Sequence, residues 1–351
     1  MIMMKKYDNI FNRLVAVIAA AFVMTSCLEK VPGDFIPEED GMKTFSDASQ
    51  TLTGIYSAYM SGALYSGLLT LLPDIQADLV YAVQGNSNTY GTHWLWDIRS
   101  TNSEIEAVYA GLYRVIGRCN FYLDQVEKLR SSLTDDAEIQ YLDYYTGEVY
   151  CARALAYSEL IKCYCKAYDP ETAKDELGVV IRTTTVDPQP QPRASLYDSY
   201  QQVLLDLAEA ERLLDEDNDA YSSAFVTRAM AYALHARVAL YMQDWQSAIY
   251  YSTELIDSKN FALSSAVSVY TDGMTYFDYM WNYDVATEII WRIGFTTTSY
   301  GGALGQNFLG FNNDYTYYYP DYVPAEWVLN LYLQSDMRYS SYFYSLPTGY
   351  N

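Results

Sequence analysis

Residues 147–167 read G-E-V-Y-C-A-R-A-L-A-Y-S-E-L-I-K-C-Y-C-K-A, and this stretch decides the fold class. Val149, Ala152, Ala156, Leu160 and Cys163 recur at helical spacing and form one apolar stripe. Cys151, Leu155 and Ile161 carry the apolar surface further round the cylinder. A helix apolar on most sides is a central one, with other helices packed on several of its faces. The small side chains of Ala152, Ala154 and Ala156 let those neighbours come close. Arg153 sits as a charge amid this surface. A partly buried guanidinium needs a carboxylate or carbonyl partner, so an acidic group from a distant segment is expected to meet it. The alternative is that its stem lies along apolar surface and its head reaches solvent.

Outward from this helix, the pattern on both sides is helical. Residues 46–61 place Ala48, Leu52, Ile55, Tyr56 and Tyr59 on one stripe, with Ser46 as the expected cap. The segment 68–80 contains Pro73 and two acids, Asp74 and Asp78, at i,i+4. That spacing suits a solvated face, and one of the two is a candidate partner for Arg153. Helix 104–130 aligns Val108, Leu112, Val115, Cys119, Tyr122 and Val126, and Asp135 with Glu138 has capping-box spacing for the helix that runs into the central one. Residues 169–194 break the pattern with Asp169-Pro170 and the alternating prolines 188–192, which enforce an extended connection. A new helix opens at Ser195 with Asp198 in capping-box position, and Tyr200, Val203, Leu204, Leu207, Ala210 and Leu214 form its stripe. Residues 225–258 form a helix–turn–helix pair around Gln243-Asp244-Trp245. The spacing Ala236…Asp244-Trp245…Ala248 fits a tetratricopeptide repeat; an ordinary αα-hairpin is the alternative.

Beyond residue 260 the texture changes. T-E-I-I-W-R-I at 287–293 reads as a short strand, and G-G-A-L-G at 301–305 reads as a turn, since it lacks the G-x-G-x-x-G order of a phosphate loop. A tyrosine-rich stretch at 311–322 follows, and Pro324 is expected to open a helix through Trp327, Leu331 and Leu333 that ends at D-M-R, 336–338.

The N-terminus carries an address. Lys5, Lys6 and Arg13 precede an apolar run from Leu14 to Met24, too short to span a bilayer comfortably. M-T-S-C at 24–27 then resembles a bacterial lipobox, in which Cys27 becomes the acylated first residue; the alternative is an ordinary signal peptide cleaved nearby. The expected organisation is a signal peptide over 1–26, an extended Pro/Gly-bearing tether over 27–44, and a single helical domain over 45–351.

Composition narrows the function classes. With 22 Lys+Arg against 44 Asp+Glu, the formal net charge is −22, which argues against binding a phosphate backbone. Tyrosine is abundant, 38 against 12 Phe, and its apolar body and polar tip suit half-exposed faces and binding surfaces. Cys119, Cys151, Cys163 and Cys165 follow no C-x-x-C pattern and only His93 and His235 could assist them, so a metal site is not expected. They read as buried small hydrophobes, with a disulfide open in an oxidising compartment.

One loop stands out as a candidate binding surface. Residues 84–103 are rich in Gly, Asn, Ser and Thr, which deny it regular structure, yet they include Tyr90, His93, Trp94 and Trp96. Such aromatics either tuck back onto the core or form a platform. In an extended segment Trp94 and Trp96 would point the same way and, with Tyr90, could stack on the C–H face of a sugar, with Asn102 or Asp97 bonding its hydroxyls; in a helix they would diverge.

The ordered landmarks S-C-L-E-K at 26–30, T-G-I-Y at 53–56, the Leu112…Asn120 helix, G-E-V-Y-C-A-R-A-L-A-Y at 147–157, S-L-Y-D-S-Y-Q-Q-V-L-L-D-L-A-E-A at 195–210, M-Q-D-W-Q-S-A at 242–248, E-I-I-W-R-I at 288–293 and D-M-R at 336–338 together resemble the SusD/RagB family of outer-membrane nutrient-binding lipoproteins of the Bacteroidetes. The resemblance implies an all-α fold of tetratricopeptide-like helix pairs with long irregular loops. It implies a lipid-anchored protein at the cell surface that binds an oligosaccharide or other nutrient and serves a SusC-type TonB-dependent transporter, without cofactor. Family members continue past D-x-R, so the resemblance also implies a chain that is C-terminally incomplete.

The competing classes are a surface glycan-active enzyme and a purely structural helical-repeat adaptor. Acids cluster at Asp135-Asp136 and Asp215-Glu216-Asp217, but sequence neighbours on a helix point apart and do not flank one glycosidic bond. No H-E-x-x-H or G-x-S-x-G occurs, so no catalytic residue is assigned.

Overall fold

The structure, a computed structural model, describes residues 41–186, 189–215, 219–296, 305, 308, 310, 316–343 and 345–349. The chain divides after Lys43, and of that first unit only residues 41–43 are described. The signal segment 1–26 and Cys27 therefore lie outside the described residues. So do residues 27–40 of the tether, Pro188 of the proline run, the acids Glu216 and Asp217, and most of 301–305.

The second unit is all-α with two small ribbons. In chain order its elements are α1 (Phe45–Tyr59), α2 (Leu68–Gln76), β1 (Val80–Ala82), α3 (Gly91–Trp94), α4 (Ser103–Arg130), α5 (Asp136–Tyr164), α6 (Leu196–Leu213), α7 (Arg228–Tyr241), α8 (Trp245–Asp257), β2 (Val269–Thr271), β3 (Met274–Thr275), α9 (Tyr276–Tyr283), β4 (Tyr322–Pro324), α10 (Glu326–Leu329) and α11 (Met337–Tyr342). β1 pairs antiparallel with β4, and β2 with β3.

The central helix is where the apolar pattern placed it. From Thr146 to Ile161 along α5 every residue but Tyr150 is buried. α4 and α6 pack along it, and α1 joins them. Gly147 lets the end of α6 come close: a Cβ there would sit 2.9 Å from Leu214 Cγ and 3.0 Å from Leu213 Cβ.

Arg153 does have a distant acidic partner, but neither Asp74 nor Asp78 supplies it. Those two are exposed. The guanidinium instead grips Asp206 of α6 with two bonds, Nε to Oδ2 at 2.9 Å and NH2 to Oδ1 at 2.7 Å. Its NH1 donates to Asn120 Oδ1 at 2.8 Å, and Gln202 Nε2 donates to Asp206 at 3.0 Å. Asp206 sits on the α6 face that packs along α5, so its carboxylate reaches Arg153 without entering from a loop.

The extended connection between α5 and α6 is held by an isolated antiparallel bridge between Leu177 and Ser195 and by side chains. Tyr157 takes the backbone of Arg182 by both its N–H (2.7 Å) and its carbonyl (2.6 Å). Tyr113 does the same for Val180, and Asp124 accepts from Thr185 N at 2.7 Å. Buried or not, these backbone groups need partners, and the helices provide them.

Several local expectations shift. The first helix is capped by Thr44, not Ser46, because Asp47 three residues on completes a reciprocal capping box with Thr44. Asp135 and Ser195 do cap α5 and α6, through Ala137 N and Asp198 N, but neither forms the reciprocal capping box expected of it. The stretch 287–293 forms no strand: it bonds in passing to Ala262, Ser222 and Ser223, and Trp291 makes a single parallel bridge with Ser223. Pro324 ends β4 instead of opening a helix, and the expected long helix divides into α10 and α11, leaving Leu331 and Leu333 exposed.

The α7–α8 hairpin matches the 225–258 expectation, with Gln243 in a left-handed turn (φ 61°) and Asp244 capping α8 through Ser247 N. α8 has no buried residue, and Leu240, Trp245, Ile249 and Ile256 are all more than half exposed. Cys119 and Cys151 are buried, whereas Cys163 is exposed; none of the four cysteines is in a disulfide. No described helix is long and apolar enough to cross a membrane.

Candidate ligand-binding site

The loop after β1 is anchored by a segment far along the chain. β1 and β4 pair Val80 with Pro324 and Ala82 with Tyr322, and Val83 N extends the ribbon to Asp321 O at 3.0 Å. Asp321 then takes both the N–H and the hydroxyl of Ser87, each at 2.6 Å, across 234 residues of sequence. Tyr322, 2% exposed, donates its hydroxyl to Thr89 O at 2.5 Å. Burial pushes the Tyr322 hydroxyl up to about 12, so it remains a donor at neutral pH.

Between these ties and α4, the loop makes one helical turn, α3. Tyr90 enters it in the left-handed region (φ 58°), and Gly91 allows the turn: a Cβ there would lie 2.1 Å from Asn88 Oδ1. His93 is fully buried beneath it, with Nδ1 3.2 Å from Gln76 Nε2 and Nε2 3.8 Å from Glu104 Oε2. Asn102 closes the loop by accepting from Arg99 N at 2.6 Å and donating to Thr92 Oγ1 at 3.2 Å.

This geometry separates the aromatics that were expected to act together. The segment carrying Trp94 is helical, so the extended arrangement that would align Trp94 with Trp96 is absent. Tyr90 and Trp94 are half-buried and pack against the cluster of Ile75, Val80 and Tyr322. Trp96 follows in a left-handed conformation (φ 57°) and is 64% exposed, with Leu95 exposed beside it. Asp97 is engaged by Arg99 in a two-bond pair at 3.0 Å each.

The β1–β4 ribbon also brings in residues that the local pattern did not single out for this place. Trp327 donates its indole N–H to Asp78 O at 3.0 Å and is 49% exposed, and Tyr81 on β1 is equally exposed. The tyrosine-rich composition before residue 322 hinted at an aromatic surface. The pairing that places Trp327 near residue 78 had no local signal.

Residues 38–240 match the model of a SusD-like family described as starch-binding, associating with the outer membrane. Two curated relatives come from Formosa agariphila: SusD-like protein P25 is 24% identical over 309 residues and SusD-like protein P38 is 28% identical over 276. These alignments take in 82% and 75% of this chain but 54% and 48% of the relatives, so the chain spans about half their length. Among solved structures, a SusD-like carbohydrate binding protein from Bacteroides vulgatus superposes with a TM-score of 0.70 at 19% identity, over 88% of this chain and 63% of that one. At that identity the likeness shows the fold.

Proposed function

Because this chain belongs to the SusD-like family, we propose that it is a cell-surface glycan-binding lipoprotein that presents its ligand to a SusC-type TonB-dependent transporter. It is a binding protein and not an enzyme. The supporting observation is the braced loop: a rigid set of ties from Asp321, Tyr322 and Asn102 holds an exposed indole, Trp96, where a sugar can stack on it. Exposing a large aromatic on a left-handed residue has no packing benefit, whereas a preorganised flat apolar surface is what a pyranose ring meets best. Tyr90 and Trp94 serve as its footing, and Asn102 shapes the loop. Tyr81 and Trp327 are further exposed rings served by the same ribbon.

Titration with maltoheptaose, run beside an assay for released sugar, tests this reading. Binding without product is expected. Trp96→Ala should weaken retention by ~1–3 kcal/mol, by analogy with base–aromatic stacking, and leave the melting temperature unchanged. Full retention by Trp96→Ala of a glycan that the intact protein binds would place the platform elsewhere.

The anchor is tested apart from the ligand. Cys27 carries the acyl groups in this reading, with residues 1–26 removed and 27–44 as the tether. Two or more acyl chains anchor stably where one does so marginally. Cys27→Ser should therefore move the protein from the outer-membrane fraction to a soluble one; an unchanged partition refutes the anchor.

A further inference from the structure

A second concavity lies on the helical side of the molecule, among α2, α4 and the C-terminal turns of α5 and α7. It encloses 630 Å³, within the range of small-molecule pockets. One wall is hydrocarbon: Leu69, Leu72, Pro73 and Val108 line it. The opposite wall is charged. Glu159, whose side chain is 7% exposed, binds Lys162 Nζ at 2.7 Å through Oε1. The same oxygen is 3.9 Å from Arg237 NH1, beyond hydrogen-bond reach.

These distances distribute the charge unevenly. Glu159 is matched by Lys162, its close partner. Arg237 keeps only that longer ion pair and makes no side-chain hydrogen bond among the described residues, and it is half-exposed on the lining of the cavity. An arginine fork of that kind fits a carboxylate bidentately. Tyr65, Thr70 and Gln76 add polar groups to the lining, but the hydrocarbon patch itself gives sugar hydroxyls no partner. A ligand that satisfies both walls has an anionic head and an apolar body.

We propose that this cleft is a second ligand site, separate from the Trp96 loop, for a small monoanionic amphiphile of the aryl- or alkyl-carboxylate class. Its head bonds Arg237, with Lys162 alongside, and its body lies on Leu69, Leu72 and Val108. Cys163, exposed on the cleft wall, reports occupancy.

The test titrates the purified full chain with 4-phenylbutyrate and with its neutral counterpart 4-phenylbutanol, followed by calorimetry. The carboxylate should bind at least tenfold more tightly than the alcohol. Arg237→Gln should lower it to the alcohol's affinity and leave maltoheptaose binding as it was. On the unmodified protein, saturating 4-phenylbutyrate should slow alkylation of Cys163 by N-ethylmaleimide several-fold, located by peptide mass. A Trp245→Ser/Ile249→Ser variant should change none of these. Equal affinities, no binding, an unprotected Cys163, or loss of binding in the Trp245/Ile249 variant would each overturn the site.

Discussion

Arg153 and Glu148 are neighbours on the central helix, and burial treats them in opposite ways. Arg153 is 4% exposed and Asp206 is 2% exposed, yet each nitrogen of the guanidinium has an acceptor. Such a pair adds little net stability over an apolar replacement of both partners, but removing one leaves a bare buried charge. Arg153→Met should cost about 3–5 kcal/mol in chemical denaturation. Arg153→Met with Asp206→Leu should recover much of that loss, and a single variant as stable as the parent would contradict the account. Among the described residues Glu148 has no cationic partner. It is 2% exposed and accepts from the Tyr56 hydroxyl, which itself accepts from Val226 N at 2.8 Å. Burial raises its carboxyl to about 8, whereas the unfolded chain holds it at its ordinary value of 4.5. The folded state therefore binds more protons than the unfolded state between those two values, and stability falls as pH rises across that window. Stability versus pH should flatten there in Glu148→Gln, which keeps a neutral hydrogen-bonding group. Parallel curves for parent and variant between pH 5 and 8 would show that Glu148 is ionised in the fold.

At the scale of elements, the long helices were legible because their information is local. Apolar spacing marks the face, and a cap residue marks the start within a residue or two, as at Asp135 and Ser195. The misplacements come from choices between neighbours or from distant pairing. Ser46 and Thr44 are both good caps; only the reciprocal bond from Asp47 decides between them. Asp74, Asp78 and Asp206 are all carboxylates, and only helix–helix packing selects the one that meets Arg153. The loop is the harder case. Its braces come from Asp321 and Tyr322, and no periodicity in 84–103 announces a strand partner more than two hundred residues away. The consequence is that two tryptophans that look alike in sequence sit in different surroundings. Trp94 packs on Ile75, Val80 and Tyr322, so Trp94→Ala should lower the melting temperature. Its cost should be about 2 kcal/mol, below the ~3–5 of a fully buried Trp, since part of the ring surface is already wet. Trp96→Ala should lower ligand retention alone. If the two substitutions behave identically in both measurements, the footing and the platform have been misassigned.

The whole molecule carries two opposed tendencies. The α7–α8 hairpin lays Leu240, Trp245, Ile249 and Ile256 open on one face, each more than half exposed. Contiguous apolar surface of this kind drives association. The chain as a whole has a formal net charge of −22, which makes two copies repel. The range of that repulsion is set by salt, about 30 Å at 0.01 M ionic strength and about 8 Å at 0.15 M. Apolar contact is short-ranged and is not weakened by the same ions. The 45–351 region should therefore sediment as a monomer at low salt and associate as salt is raised, the reverse of what an ion-paired interface would do. Trp245→Ser/Ile249→Ser should abolish the salt-induced association without lowering the melting temperature, because neither side chain is buried in the fold. Sedimentation velocity at two ionic strengths separates the possibilities. A monomer at both would mean that the hairpin face is too divided by its polar residues to bind a second copy, and association that weakens with salt would place the contact among charged groups elsewhere on the surface.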